Sequence, residues 1–599
     1  MTEVRLRDIA RGLLRAVPDA VTRPNWRLLK HVAFSPDSKR SIGRVLEDWA
    51  RAAPERVALK FEQRSWTYAE FNTWANRLAA AFAAHGVKAG DTVAILMENR
   101  PEALACVAGA VKLGAIAGML NHNQRGDALS HSIGLIEPKL MVVGAECGGA
   151  PAGSACGPAQ LRGARFFWSG EGEAPPGYLD LHRESARCSG VNPATTAEVV
   201  ARMPCYYIFT SGTTGLPKAS VMTHYRWLAL LTGAGAALRL HADDVFYCCL
   251  PLYHNNALTV SWGAALSAGA TLALDRKFSA SKFWDRVRHY DATAFCYIGE
   301  LLRYLLNTQP TARDREHRVR LIVGNGLRPD IWDAFERRFG IERIHEFYGA
   351  SEANVGFVNA FGLRQTAGFT YMPYAIVEFD AEREQPVRDA RGFMKKVPKG
   401  GVGLLISEVT DKRPFDGYTD ASASEQKLLR NVFTKNDCWF NSGDLVRDQG
   451  WRHIQFVDRV GDTFRWKGEN VATNEIENVL ATITQIEHGA VYGVTVPGAD
   501  GRAGMAAVTL RPGAAFDGAQ LARTLQAALP PYAVPLFVRV QARQETTGTF
   551  KYRKVELKAA GFDPARIAEP LYALLDRERG YEALTPEVFA RVQRGEVRL

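Results

Sequence analysis

Phe209-Thr210-Ser211-Gly212-Thr213-Thr214-Gly215-Leu216-Pro217-Lys218 is the stretch on which the reading of this 599-residue chain turns. The apolar run Cys205-Tyr206-Tyr207-Ile208 in front of it predicts a buried strand. A strand therefore feeds a loop rich in hydroxyls and glycine. Gly212 and Gly215 let the backbone turn its N–H groups toward an anion, Thr210, Ser211, Thr213 and Thr214 add hydroxyl donors, and Lys218 adds a positive charge. These parts suit the phosphates of a nucleoside triphosphate. The spacing is not G-x-x-x-x-G-K-[ST], which disfavours an ordinary P-loop NTPase.

Around this loop, from about residue 40 to 345, helical and strand-like runs alternate. Residues 71–85 predict a helix, Thr92-Val93-Ala94-Ile95-Leu96-Met97 a buried strand, Leu321-Ile322-Val323 another strand and 329–339 a helix. The alternation predicts α/β layers with largely parallel sheets. Residues 147–158, rich in Gly, Ala and Pro, predict a surface loop, and the charged stretch 380–400 predicts a connection. The expected organisation is a basic amphipathic segment (1–40), a large domain (41–460) and a small mobile α+β domain (461–599) joined by a hinge.

The length exceeds what one core supports. With 47% hydrophobic and 23% charged residues the composition is that of a soluble globular protein, and a net charge of +10 is too small at this length to argue for nucleic acid. Nine cysteines without C-x-x-C spacing predict free thiols in a reducing, cytoplasmic setting, with no disulfide framework and no metal cage. Residues 103–120 carry Lys112 as their only charge, yet they are mostly Ala and Gly and stop at Asn121-His122-Asn123. They predict a buried helix running into a strand. Residues 1–40 hold nine Lys/Arg against four Asp/Glu, and Leu6, Ile9, Ala10, Leu13, Leu14 and Val17 recur at helical spacing. Such a helix either lies on the inner face of an anionic membrane or docks on its own protein.

The opening run closely resembles the phosphate loop of the adenylate-forming superfamily, which includes acyl-CoA synthetases, luciferases and nonribosomal adenylation domains. Further segments resemble the same superfamily in the expected order. Pro251-Leu252-Tyr253-His254 resembles the segment whose His lines the carboxylate pocket. Gly324-Asn325-Gly326 resembles the turn beside the adenine. Tyr348-Gly349-Ala350-Ser351-Glu352 resembles the motif in which the ring stacks on adenine, the Ser contacts phosphate and the Glu holds Mg²⁺. Glu346, just before it, stands where many relatives have Asn. Ser442-Gly443-Asp444 resembles the ribose-binding segment, and Arg459 a phosphate- and ribose-contacting Arg. Asp458-Arg459-Val460-Gly461-Asp462 resembles the interdomain hinge, with Gly461 where many relatives carry Asp or Lys. Lys467-Gly468-Glu469-Asn470 resembles the loop lining the CoA channel. Thr547-Gly548-Thr549-Phe550-Lys551 resembles the C-terminal lysine loop, in which relatives usually read Ser/Thr-Gly-Lys.

The resemblance covers about residues 40–565. It implies that a carboxylate attacks the α-phosphate of Mg-ATP and that a thiol then displaces AMP. Lys551, His254, Glu352 and Thr210 are the implied catalytic residues. The segments 297–304, 324–329, 461–471 and 549–551 are similar to the fatty acid transport protein/very-long-chain acyl-CoA synthetase branch, which implies a long fatty acid and CoA as substrates. Segments 227–240 and 292–302 are candidate tunnel walls. Other expectations stay open: fatty acid uptake or binding at a membrane, a bile-acid or steroid CoA ligase, or an acyl-AMP ligase serving a carrier protein. Chain length and oligomeric state are likewise open.

Overall fold

A computed structural model describes residues 3–22, 35–152, 157, 161, 163–210, 216–327, 329–380, 383–467, 469–497, 499, 501–544 and 554–597. Residues 211–215 of the opening loop, Gly468 and Lys551 lie outside this set.

Apolar runs become strands and helices where their ends are capped. Thr67 and Glu70 form a reciprocal capping box that starts helix Tyr68–Ala84, and Pro101 opens helix Pro101–Lys112 at a position where its missing N–H costs nothing. That second helix runs into strand Ile116–Met119, so residues 103–120 are a buried helix and strand as predicted. Lys112 is fully buried and its Nζ lies 2.9 Å from Glu47. Among the described residues no helix is long and apolar enough to cross a membrane.

The large part holds two sheets. One runs Leu179–Asp180, Arg165–Ser169, Leu140–Gly144, Thr92–Leu96, Ile116–Met119, Pro204–Thr210, Lys218–Thr223, parallel until the final hairpin. The other is parallel through Arg343–Tyr348, Leu321–Asn325, Ala294–Ile298, Val245–Cys248, Thr271–Leu274 and Val57–Phe61. It then continues as antiparallel strands, among them Val402–Glu408, Cys438–Gly450 and His453–Arg459. These antiparallel strands extend the largely parallel sheets that the sequence predicted. The turn at Gly450, where φ is +78°, joins Cys438–Gly450 to His453–Arg459, and so tight a turn permits only antiparallel pairing. The main core fills the space between these sheets and their helices.

Two connections are more ordered than the sequence suggested. Cys147 is buried in a short 3₁₀ turn followed by helix Gly149–Ala152. Within 380–400, strands Phe379–Asp380 and Gln385–Pro386 pair, and Met394 is buried. Beyond residues 458–462 a five-stranded sheet (Ile486–Thr495, Arg502–Leu510, Phe537–Val540, Leu571–Asp576, Gly580–Ala583) has its own core, from Phe464 to Val592. The N-terminal helix Leu6–Thr22 is docked on one side only. The Val4 N–H donates to the Gln449 carbonyl at 2.9 Å, and a Cβ at Gly12 would meet Phe361 at 2.7 Å. Leu6, Leu13 and Leu14 remain 61%, 51% and 71% exposed.

Candidate active site

In open α/β sheets ligands collect outside the carboxyl ends of parallel strands. Here several such ends meet one continuous cleft of about 3080 Å³. Thr210 ends Pro204–Thr210, Ile298 ends Ala294–Ile298, Asn325 ends Leu321–Asn325 and Tyr348 ends Arg343–Tyr348; all four line it. Thr210 pairs with Lys218 across the hairpin, and its hydroxyl donates to the Lys218 carbonyl at 3.4 Å. The intervening loop is thus anchored at both ends.

His254 follows strand Val245–Cys248, in a turn where its N–H donates to the Pro251 carbonyl at 3.0 Å. Its ring lies 4.5 Å from that of Tyr253 and lines the cleft. The next residue, Asn255, donates to Ser351 Oγ at 2.9 Å and accepts from Thr259 at 2.8 Å, which ties the histidine turn to the 348–352 motif. Asn256 donates to Asn325 Oδ1 at 3.0 Å. Gly326 has φ +77°, and a Cβ on Gly299 would stand 1.8 Å from the Gly326 carbonyl. Only glycine permits that approach. Gly324 lies behind this turn, where a Cβ would meet the Tyr297 carbonyl at 2.2 Å.

Tyr348 donates to Asp444 Oδ2 at 2.6 Å. Burial, then the Asp444 charge, raises the phenol far above its usual pKa. Asp444 pairs across strands with Arg459, whose Nε lies 4.0 Å from Oδ1. Glu352 is buried; its Oε1 accepts from the Tyr418 hydroxyl at 2.8 Å and lies 4.0 Å from Lys427 Nζ. Lys218 Nζ sits 5.6 Å from the centre of the Tyr418 ring. Glu346 Oε1 accepts from Leu327 N–H at 2.9 Å and Tyr297 OH at 3.1 Å, and burial pushes this carboxyl up to about 8.

Not every predicted residue joins the cleft. Lys467 and Glu469 flank the turn of the Phe464–Trp466/Glu469–Val471 hairpin; both are exposed and neither lines the cleft. Ala229, Leu230, Ala237 and Leu238 from one candidate wall and Ile298 and Gly299 from the other do line it, whereas Trp227 is fully buried against Gly263. Residues 211–215, Gly468 and Lys551 lie outside the described set.

Sequence reasoning missed Arg226, Tyr418 and Lys427. Arg226 is buried and donates to the carbonyls of Ser351 (2.6 Å), Ala353 (2.7 Å) and Val221 (2.8 Å), fixing the backbone that carries Glu352. Burial lowers its pKa against the opposing charges of Asp416 and Glu352. A lone Arg at a helix start and a Tyr in an irregular segment offer no local pattern to find. Among the described residues no cluster of three or more His, Cys, Asp or Glu could hold a metal. Glu352 is a single buried carboxylate, a donor that would suit Mg²⁺, which takes one or two carboxylates plus phosphate oxygens.

The fold and cleft define an adenylate-forming enzyme. Residues 46–391 match the AMP-binding enzyme family and residues 475–551 the AMP-binding enzyme C-terminal domain, and the chain belongs to this family. It is 50% identical to the medium/long-chain-fatty-acid–CoA ligase FadD6 of Mycobacterium tuberculosis, over 97% of this chain and 95% of the ligase. It is 40% identical to long-chain fatty acid transport protein 2 of Rattus norvegicus, over 92% of this chain and 90% of that protein. ATP-bound MatB from Rhodopseudomonas palustris shares the fold, with a TM-score of 0.72 at 24% identity over 86% of this chain and 98% of MatB.

Proposed function

We propose that this chain is an ATP-dependent ligase that activates a long-chain fatty acid as its acyl-adenylate and transfers the acyl group to CoA. The observation that carries the reading is convergence: Thr210, Lys218, His254, Asn325, Gly326, the 348–352 segment, Asp444 and Arg459, far apart in sequence, line one cleft. Half the residues are also shared with a fatty acid–CoA ligase along nearly the whole chain.

In the first step a carboxylate oxygen bonds to the α-phosphorus of ATP, and the bond to the bridging oxygen breaks, releasing pyrophosphate. In the second a CoA sulfur bonds to the acyl carbon, AMP leaves with the electron pair of the broken C–O bond, and the thiol proton passes to solvent. Two anions meet in the first step, so the protein's task is charge neutralisation and positioning. Lys218 and the 211–215 loop hold phosphates, Tyr348 and Asp444 hold adenine and ribose, Arg459 assists at ribose and phosphate, and His254 orients the acid. Mg²⁺ held by Glu352 would neutralise charge on the leaving phosphates. Lys551 bridges the carboxylate and α-phosphate, and Lys467, Gly468 and Glu469 serve the CoA side.

A positioned charge of this kind is worth ~2.7–4 kcal/mol, so Lys551→Ala slows acid-dependent pyrophosphate release by roughly 10²–10³-fold. Thioester formation from preformed acyl-adenylate stays near the parent rate. Equal loss in both half-reactions would remove Lys551 from the first step.

The relatives that carry a transport name favour a second aspect, action at a lipid surface. The exposed leucines of helix Leu6–Thr22, with Arg5, Arg7 and Arg11 beside them, are where this chain would meet an anionic membrane.

A further inference from the structure

We propose that Tyr418 is a positioning residue that couples the two charged ends of the phosphate site: its hydroxyl fixes Glu352 and its ring seats Lys218, so that ATP and the divalent cation bind as a unit. The proposal rests on the reading of Glu352 as the Mg²⁺ carboxylate.

The segment around Tyr418 is held from both sides. Val221 N–H donates to the Gly417 carbonyl at 3.0 Å and Thr419 N–H to the Ala219 carbonyl at 2.9 Å, so residues 417–419 extend the sheet next to strand Lys218–Thr223. Ser220 and Tyr418 form the antiparallel bridge between them. On the other side Tyr418 N–H donates to Ser424 Oγ at 2.9 Å, and Asp420 accepts from the first turn of helix Ala421–Glu425. Gly417, at φ +70°, turns the chain in a place where a Cβ would meet Ser424 Oγ at 2.6 Å. The backbone is therefore fixed before the side chain makes any contact.

That side chain is 7% exposed and spans the gap between two motifs. Its hydroxyl donates to Glu352 Oε1, the same oxygen that faces Lys427. Among the described residues both contacts fall on Oε1, which leaves Oε2 to face a cation. The Lys218 ammonium lies within cation–π range of the ring face, so the phosphate-loop lysine is seated by the group that orients the carboxylate.

Tyr418→Phe removes the hydroxyl and keeps the ring under Lys218. ATP binding to the full chain is measured calorimetrically, once with Mg²⁺ and once with EDTA. Tyr418→Phe is expected to match the parent in EDTA and to lose on the order of tenfold of the Mg²⁺-dependent gain, the scale of one hydrogen bond to a charged group. In turnover the half-saturating Mg²⁺ concentration rises by a similar factor while kcat at saturating Mg²⁺ is kept. Tyr418→Leu, which also removes the ring, weakens ATP binding in EDTA as well. Glu352→Gln is the control and abolishes the Mg²⁺ gain. A Tyr418→Phe protein that keeps the full gain while Glu352→Gln loses it overturns the coupling. A Glu352→Gln protein that keeps the gain overturns the reading of Glu352 and the coupling with it.

Discussion

The Glu346 carboxyl holds its proton at pH 7, because burial lifts it to about 8 from an ordinary 4.5. Between those two values the folded chain binds a proton that the unfolded chain has lost, so stability falls as pH rises through the window. Glu346→Gln mimics the neutral acid and removes that slope. Thermal melts at pH 5 and pH 8 should show the variant gaining on the parent at the higher pH; curves that stay parallel would mean that Glu346 ionises freely. The sequence showed Glu346 as a departure from relatives, with no sign of its partners. Tyr297 and Leu327 reach it from two neighbouring strand ends, a proximity that only the parallel register creates.

At the scale of the element, the segment 458–462 is held by groups from the far end of the chain. Buried Asp458 accepts from Thr473 N–H at 2.5 Å and Asn474 Nδ2 at 2.9 Å, clasping the start of helix Thr473–Ala481. Lys554 Nζ lies 2.8 Å from Glu477 and 3.9 Å from Asp462, and Lys558 Nζ donates to Asp462 at 2.8 Å and to the Gly461 carbonyl at 2.7 Å. Burial works against the Lys554 charge, but Glu477, Asp462 and Asp458 outweigh it and raise its pKa. Removing one partner of a buried ionic cluster leaves uncompensated charge, so Lys554→Met should cost ~3–5 kcal/mol in urea unfolding followed by circular dichroism. A loss below about 1 kcal/mol would show that the cluster is solvated. Motif order singled out 458–462, and the strand-helix alternation made 92–97, 321–323 and 329–339 readable. The lysines that fasten this segment were not, since a lysine is by itself almost always a solvated charge. A Cβ at Gly461 would meet nothing within 4 Å, so no steric need for glycine shows at this position.

Across the whole molecule, the large part and the small sheet also touch away from the 458–462 segment. Arg303 donates to the Glu487 carbonyl at 2.8 Å and contacts His488 Nδ1 at 2.9 Å. The opposite end of the chain is half-docked: helix Leu6–Thr22 is held through Val4 and Gly12 and leaves three leucines in water. Both expectations for that helix, docked or facing lipid, therefore retain a face of it. If the outer face meets anionic lipid, sedimentation with phosphatidylglycerol vesicles at 0.15 M salt should carry down the parent. Leu6→Ser/Leu13→Ser/Leu14→Ser should stay in the supernatant with its turnover in solution unchanged. Equal sedimentation of both would leave the leucines without that role. Amphipathic spacing exposed this helix in the sequence, but only the packing shows which of its apolar residues face outward.

The proposed ligation requires acid, ATP and CoA together. Its most direct test is AMP release by the full chain from ATP and Mg²⁺ with a ladder of fatty acids from C8 to C24, each with and without CoA. Multiple-turnover AMP release that requires both a long-chain acid and CoA is the predicted result. Turnover indifferent to CoA, or no pyrophosphate with any acid of the ladder, would contradict it.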